Sequence, residues 1–181
     1  MIVNDISIVI GSWGSYNACN ERASGSKWKN LSDYSDWEDI VTELEQEGFE
    51  LNGIDEELFI QDIEGIEGAN WDYVNPESLF ELLKEADVLG NSYYFDVMQA
   101  FLEVRGFDEF ERLVNSYGSR WSDDINIYRN FDWEDYGREM LEICGYEIPE
   151  PLEDFIDFEA YGKYIGEYVE EYSCGLIEIL R

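Results

Sequence analysis

Carboxylates supply nearly all the acid–base chemistry open to this chain, which has 43 Asp and Glu against 11 Lys and Arg and no histidine. Without an imidazole there is no Ser-His-Asp or Cys-His nucleophile pair, no histidine general base and no histidine-containing metal site. Two acids facing each other across a cleft can hydrolyse a glycosidic bond, with tryptophans stacking on the sugar. Among 43 acids some pair always stands at a workable distance, so spacing alone singles out none. "DYSDWEDI" and "DIEGIEGANWD" lack the D-x-[DN]-x-[DN]-G-x5-E register of a calcium loop. "GSWGSYN" lacks both the G-x-G-x-x-G spacing and a Walker lysine, and reads as a hairpin turn beside a strand. Cys19, Cys144 and Cys174 are odd in number and form no CxxC pair, unlike a disulfide framework or a zinc ribbon. No catalytic residue, cofactor or metal ligand is assigned.

The anomaly is the net charge of -32, because self-repulsion on that scale works against folding. This is not a disordered acidic tail, since 6 Trp, 13 Tyr and 10 Phe are enough to build a core. Phosphates repel such a chain, so nucleic acid and anionic membranes are not expected as direct partners, and a basic protein surface is. "MIVNDISIVIGSW" has no basic leader region, and no apolar run approaches membrane-spanning length. The expectation is a soluble, cytoplasmic, unprocessed chain. Two other classes stay open: a carboxylate-dependent glycan hydrolase, and an acidic interaction module of halophilic type.

The elements that carry these acids follow from periodicity. Ile6 to Trp13 is β-branched and reads as a strand, followed by the polar loop "GSYNACNERASGS" and a short strand in "KWKNL". "SDWEDIVTELEQEGF" predicts a helix capped by Ser35 or Asp36 and stopped at Gly48, and "ELFIQDIEG" a third strand, closing a small α+β unit near Gly68. Gln61, Asp62 and Glu64 read as a turn after that strand. Three helices follow: one from Pro76 to Gly90, then two separated by Gly106. After Gly118 come a strand in "INIYRN", a helix opened by Asp132, further helix through "PEPLEDFIDFEAYGKYIGEYVEEY", and a closing strand in "GLIEILR". The fold class is α+β, with units at 1–70, 71–117 and 118–181.

At helical spacing of three or four residues, repeated acids form a line of charge opposite the apolar face. Asp36, Glu38, Asp39 and Glu43 do so in the first helix, Glu81 and Glu85 in the second, and Asp108, Glu109 and Glu111 in "DEFERL". Read as helix, "DFEAYGKYIGEYVEEY" turns Phe158, Tyr161, Ile165 and Tyr172 inward and leaves Asp157, Glu159, Glu167, Glu170 and Glu171 outside. B-form DNA carries one charge per roughly 1.7 Å, so a dimer with twice the net charge of -32 matches on the order of 110 Å of duplex, about 30 base pairs. A pre-shaped acidic dimer can therefore compete for a basic DNA channel.

"IGSWGSYNACN", "GSKWKNLSDYSDWEDIVTEL", "ELFIQDIEG" and "IPEPLEDFIDFEAYGKYI", in that order, resemble the ArdA antirestriction family. The resemblance implies a non-enzymatic DNA mimic carried on mobile genetic elements. It implies three small domains in a row and an elongated homodimer lying in the DNA-binding channel of type I restriction-modification enzymes. It also directs attention to Asp62 and Glu64 and to the acidic C-terminal half: Asp132, Glu134, Asp135, Glu139, Glu142, Glu153, Asp154, Asp157 and Glu159. Phenylalanine stands where the family pattern has tyrosine at Phe155 and Phe158, and the segment between Asn17 and Trp28 departs from that pattern. Ile148, Phe155 and the "GLIEILR" strand are expected either at a dimer seam or in the core.

Overall fold

A computed structural model describes residues 5–67 and 70–180; the first four residues, Gly68 and Arg181 of the expected elements lie outside the described residues. Strand β1 (Ser7–Ser12) runs directly into a one-and-a-half-turn helix, α1 (Trp13–Ala18), instead of the hairpin turn read from the sequence. The Ser12 side chain caps α1 by accepting from the Ser15 amide, and Cys19 closes it in the left-handed region. Gly14 is required here, because a Cβ would run into the Ile54 carbonyl. Strand β2 (Lys29–Asn30) and helix α2 (Trp37–Gln46) follow, with Asp36 as the N-cap. Strand β3 (Leu58–Glu64) completes an antiparallel sheet in the order β2-β1-β3. Val9 pairs with Asp62 and Ile10 with Ile60, so Gln61 is a bulged residue. Gln61, Asp62 and Glu64 thus lie in the strand itself, and the turn begins at Gly65, whose φ is 87°.

Helix α3 (Pro76–Glu85) ends at Ala86, four residues earlier than the glycine expected to stop it, because Asp87 takes the left-handed conformation. Helices α4 (Ser92–Arg105) and α5 (Phe107–Tyr117) meet at Gly106, which has a φ of 80°. Strand β4 (Ile125–Arg129) precedes helix α6 (Trp133–Ile143), which opens with a reciprocal capping box between Asp132 and Asp135. The short helix α7 (Glu150–Glu153) and helix α8 (Phe158–Ile165) come next.

Beyond Ile165 the structure corrects the sequence reading. Gly166 ends α8, and Val169–Tyr172 is strand β5, paired antiparallel with β6 (Gly175–Ile179) in a sheet ordered β4-β6-β5. The pattern of "VEEY" suits a period of two as well as one of 3.6, and "GLIEI" supplies a partner strand across a two-residue turn. Glu170 and Glu171 therefore face opposite sides of a sheet: Glu170 pairs with Arg105 of α4, and Glu171 accepts from the Trp133 indole of α6.

Both faces of this second sheet are covered. Ile125, Ile177 and Ile179 join a buried cluster that continues through α5, α4, α3 and α2 to Ile6, Ile8 and Ile10 of the first sheet. Trp121 is fully buried at the centre, donating its indole N–H to the Ala86 carbonyl at 2.9 Å and meeting Phe110 edge-on at 5.1 Å. On the opposite face Leu176 and Val169 pack with Tyr136 under α6. The inner strand β6 is core, which removes Leu176, Ile177 and Ile179 as seam residues.

Helices α6 and α8 touch backbone to backbone. A Cβ on Gly137 would strike the Phe158 carbonyl, and one on Gly162 the Trp133 carbonyl. Gly162→Ala therefore forces the pair apart and is expected to cost about 1–3 kcal/mol. Denaturant unfolding of the variant against the native chain measures this.

Candidate functional site

Of the carboxylates singled out above, none is buried: Glu109, Glu139 and Glu170 are half-buried and the rest are exposed. The structure sorts them by what they touch. Five hold helix N-termini. Asp36 accepts from the Asp39 amide at 3.1 Å and Asp39 from Ser35 at 3.2 Å. Asp132 accepts from Asp135 at 2.9 Å, Asp135 from Asp132 at 3.3 Å, and Asp157 from Ala160 at 2.9 Å.

Six others have a cation beside them. Glu43 meets Lys29 at 2.7 Å, Glu134 meets Arg138 at 2.9 Å, and Glu159 meets Lys163 at 2.5 Å. Glu109 pairs with Arg112, Glu170 with Arg105, and Glu153 lies 4.0 Å from Arg138. The remainder, apart from Glu171, make no ion pair with a described residue: Glu38 on α2, Asp62 and Glu64 on β3, Glu81 and Glu85 on α3, Asp108 and Glu111 on α5, Glu139 and Glu142 on α6, then Asp154 and Glu167. These occur along the whole chain rather than gathering at one point.

The cations are correspondingly occupied. Arg22, Lys29, Arg105, Arg112, Arg120, Arg129, Arg138 and Lys163 all sit in ion pairs, and Lys84 bonds the Ser35 carbonyl beside the Phe80 ring. The charge of the eight ion-paired cations is neutralised locally, and Lys27 and Lys84 are far outnumbered by the carboxylates without a cation beside them, which set the sign of the field beyond the surface.

Two buried polar clusters were not foreseen from the sequence. Lys29, 2% exposed, is clamped by Glu43 of α2 at 2.7 Å and by Glu47, the C-cap one turn further on, at 2.6 Å. Burial alone would push this amine down, but its hydrogen bonds to Glu43 and Glu47 hold it above the ordinary lysine value. Hydrogen bonds from Lys29 and then Tyr34 hold Glu43 below the usual carboxylate range. Alternation in "KWKN" would put Lys27 and Lys29 on one side of a strand, so the pattern does not separate the exposed Lys27 from the buried Lys29.

The second cluster explains "GSWGSYNACN". Asp55, fully buried, accepts from the Ser15 hydroxyl, from the Glu50 amide at 2.8 Å and from Arg22 Nε at 3.0 Å, while Asn20 donates to Ser15 Oγ at 3.0 Å. Burial would raise the Asp55 carboxyl, yet the Ser15, Glu50, Ser12 and Arg22 contacts together hold it below the usual range. The Ser15 and Asn20 side chains are spent within the cluster, so this motif staples the 50–55 loop to α1. Beside it Trp13 stacks on Phe59, centroids 4.1 Å apart.

An open cleft of about 690 Å³ lies between α4 and the β5–β6 turn. Two of its three acids are engaged, Asp96 with Arg129 and Glu103 with the Ser173 amide, and Glu67 is the third. Among the described residues no three Cys, Asp or Glu side chains are placed to hold a metal ion, and no helix is long and apolar enough to cross a membrane.

A family model described as antirestriction protein (ArdA) matches residues 8–178, which spans both sheets and all the helices. Comparison with curated proteins finds no match.

Removing the Asp55 carboxylate tests the staple. Asp55→Ala leaves Arg22, Ser15 and the Glu50 amide unpaired in the interior and is expected to cost about 3–5 kcal/mol. Because the folded pKa is depressed, the Asp55 contribution is complete above the unfolded value near 4 and disappears as pH falls through the folded one. The stability gap between native chain and Asp55→Asn should accordingly narrow below about pH 4, as read from urea midpoints against pH.

Proposed function

This chain belongs to the ArdA antirestriction family, and from that premise we propose that it blocks type I restriction-modification enzymes by imitating DNA in their DNA-binding channel. The observation that carries the reading is the division of charge just described. Eight of the described cations are held in local ion pairs, and exposed carboxylates without a cation beside them recur on α2, β3, α3, α5 and α6. A channel lined with Lys and Arg to bind phosphates meets in this surface a substitute for the duplex backbone. Mimicry of this kind asks nothing of any one side chain and needs no bond-making step, so the protein acts as an inhibitor rather than an enzyme.

The active form in this reading is an elongated homodimer of cytoplasmic location, each chain built as units at 1–70, 71–117 and 118–181. A sheet at each end with helices between supports that division. Its seam lies in the C-terminal unit, where Ile143, Tyr146, Leu152 and Phe155 are 65%, 65%, 53% and 85% exposed around the α6–α7 connection. Phe155→Glu should halve the sedimenting mass and abolish any dependence of the unfolding midpoint on protein concentration.

Competition measures the mimicry. Excess protein is expected to displace a labelled duplex from a type I methyltransferase, with an effect that weakens steeply as salt rises. Glu81→Gln alone should change the inhibition constant by only about two- to threefold. Replacing Asp62, Glu64, Glu81, Glu85, Asp108 and Glu111 together by their amides should weaken it by on the order of a hundredfold, at roughly 0.5 kcal/mol each. Undiminished duplex occupancy at low salt under excess native protein would end this reading.

A further inference from the structure

The helical middle of the chain carries a feature that charge imitation does not require. Tyr73 is 87% exposed, at the end of a 3-10 turn, Trp71–Tyr73, between the first sheet and α3. The backbone beneath it is pinned at three places. Trp71 packs edge-on against Phe107 at 5.1 Å, the Val74 amide donates to the Trp71 carbonyl at 3.1 Å, and Asn75 caps α3 by accepting from Ser78 at 3.1 Å. No ring contact to a described aromatic occupies the phenol face itself.

Tyr73 also forms the wall between two open concavities. One, about 430 Å³, has Phe107 and Leu82 in its floor with Asp108 and Glu111 among its lining residues. The other, about 390 Å³, has Trp13 and Phe59 in its floor with Glu56 and Glu57 among its lining residues. Among the described residues no Lys or Arg lines either. An aromatic ring on a stiff support, with apolar floors on both sides and carboxylates around them, is complementary to a planar cation.

We propose that Tyr73 is a recognition anchor that takes an arginine side chain of the partner protein, its guanidinium stacked on the phenol ring and paired with the acids of the flanking concavities. The proposal rests on the decoy reading above and deepens it by adding a contact that reads the partner's side-chain type as well as its charge. A guanidinium is planar and weakly hydrated, so it stacks on an aromatic face and bonds a carboxylate along its edge at once, which an ammonium does less well. Rigid, solvent-exposed aromatics that become buried on binding are where interface energy concentrates.

The experiment compares native chain, Tyr73→Phe and Tyr73→Ala in duplex displacement from a type I methyltransferase across a salt series, with unfolding midpoints and sedimenting mass recorded for each. Tyr73→Phe is expected within about twofold of native. Tyr73→Ala should be about tenfold weaker at every salt concentration, with unchanged salt slope, midpoint and mass, because no charge is removed. Equal inhibition by Tyr73→Ala and native chain overturns the anchor, as does a loss confined to sedimenting mass, which would make a second copy the occupant. If native protein fails to displace the duplex, the decoy reading falls by itself. The anchor is then decided by titrating the Tyr73 ring resonances with a tetra-arginine and a tetra-lysine peptide. Selective, saturable shifts with arginine support it; no shift, or equal shifts with lysine, refutes it.

Discussion

Mutual repulsion among the carboxylates is the condition every other part of this fold must satisfy. A chain of net charge -32 gains electrostatically by expanding, and side-chain ion pairs at the surface contribute too little each to oppose that. The opposition comes from a single apolar cluster reaching from Ile6 to Ile179, which draws both sheets and the helices between them into one buried interior. Trp121 sits where the helical segment meets the second sheet, joining Phe101, Phe110 and the Ala86 carbonyl. The few cations are placed with the same economy. Six of the acids that read as outward-facing from the sequence have one beside them, and others are tied to helix N-termini, where the backbone dipole welcomes negative charge.

Most of the architecture could be read from the one-dimensional pattern, and the exceptions have physical causes. Helices α2, α5 and α6 declare themselves through a capping acid or a glycine boundary and a clean apolar stripe. The short helix α1 does not, because a run of Gly, Ser and Asn has poor helix propensity; it is held by tertiary contacts to Asp55 that lie forty residues away. Strand β5 was hidden by its own composition. Four residues cannot separate a period of two from one of 3.6, and only pairing with β6 decides. The Asp87 stop of α3 escaped notice since an aspartate at positive φ leaves no mark comparable to glycine.

The site was legible in kind more than in detail. The sequence alone shows a large excess of carboxylates on the outer faces of its helices, and the acids singled out there are all exposed or half-buried in the structure. What no spacing rule could supply is the difference between Glu81, which stands alone, and Glu43, which clamps a buried lysine, because that difference depends on which strand the facing helix covers. Lys29 and Asp55 gave weak signals or none for the same reason: a buried charge is recognisable only once its partners are known.

The Ser12, Ser15 and Asp55 staple and the Gly137–Gly162 crossing also bear on how such a protein can diverge. A position that has only to carry negative charge tolerates Asp for Glu, or the shift of an acid by one residue, with little penalty. A serine hydroxyl that must reach a buried carboxylate, or a glycine that lets two helices touch, tolerates almost nothing. Drift is therefore most constrained at the interior positions that hold the fold together and least at exposed carboxylates with no cation beside them.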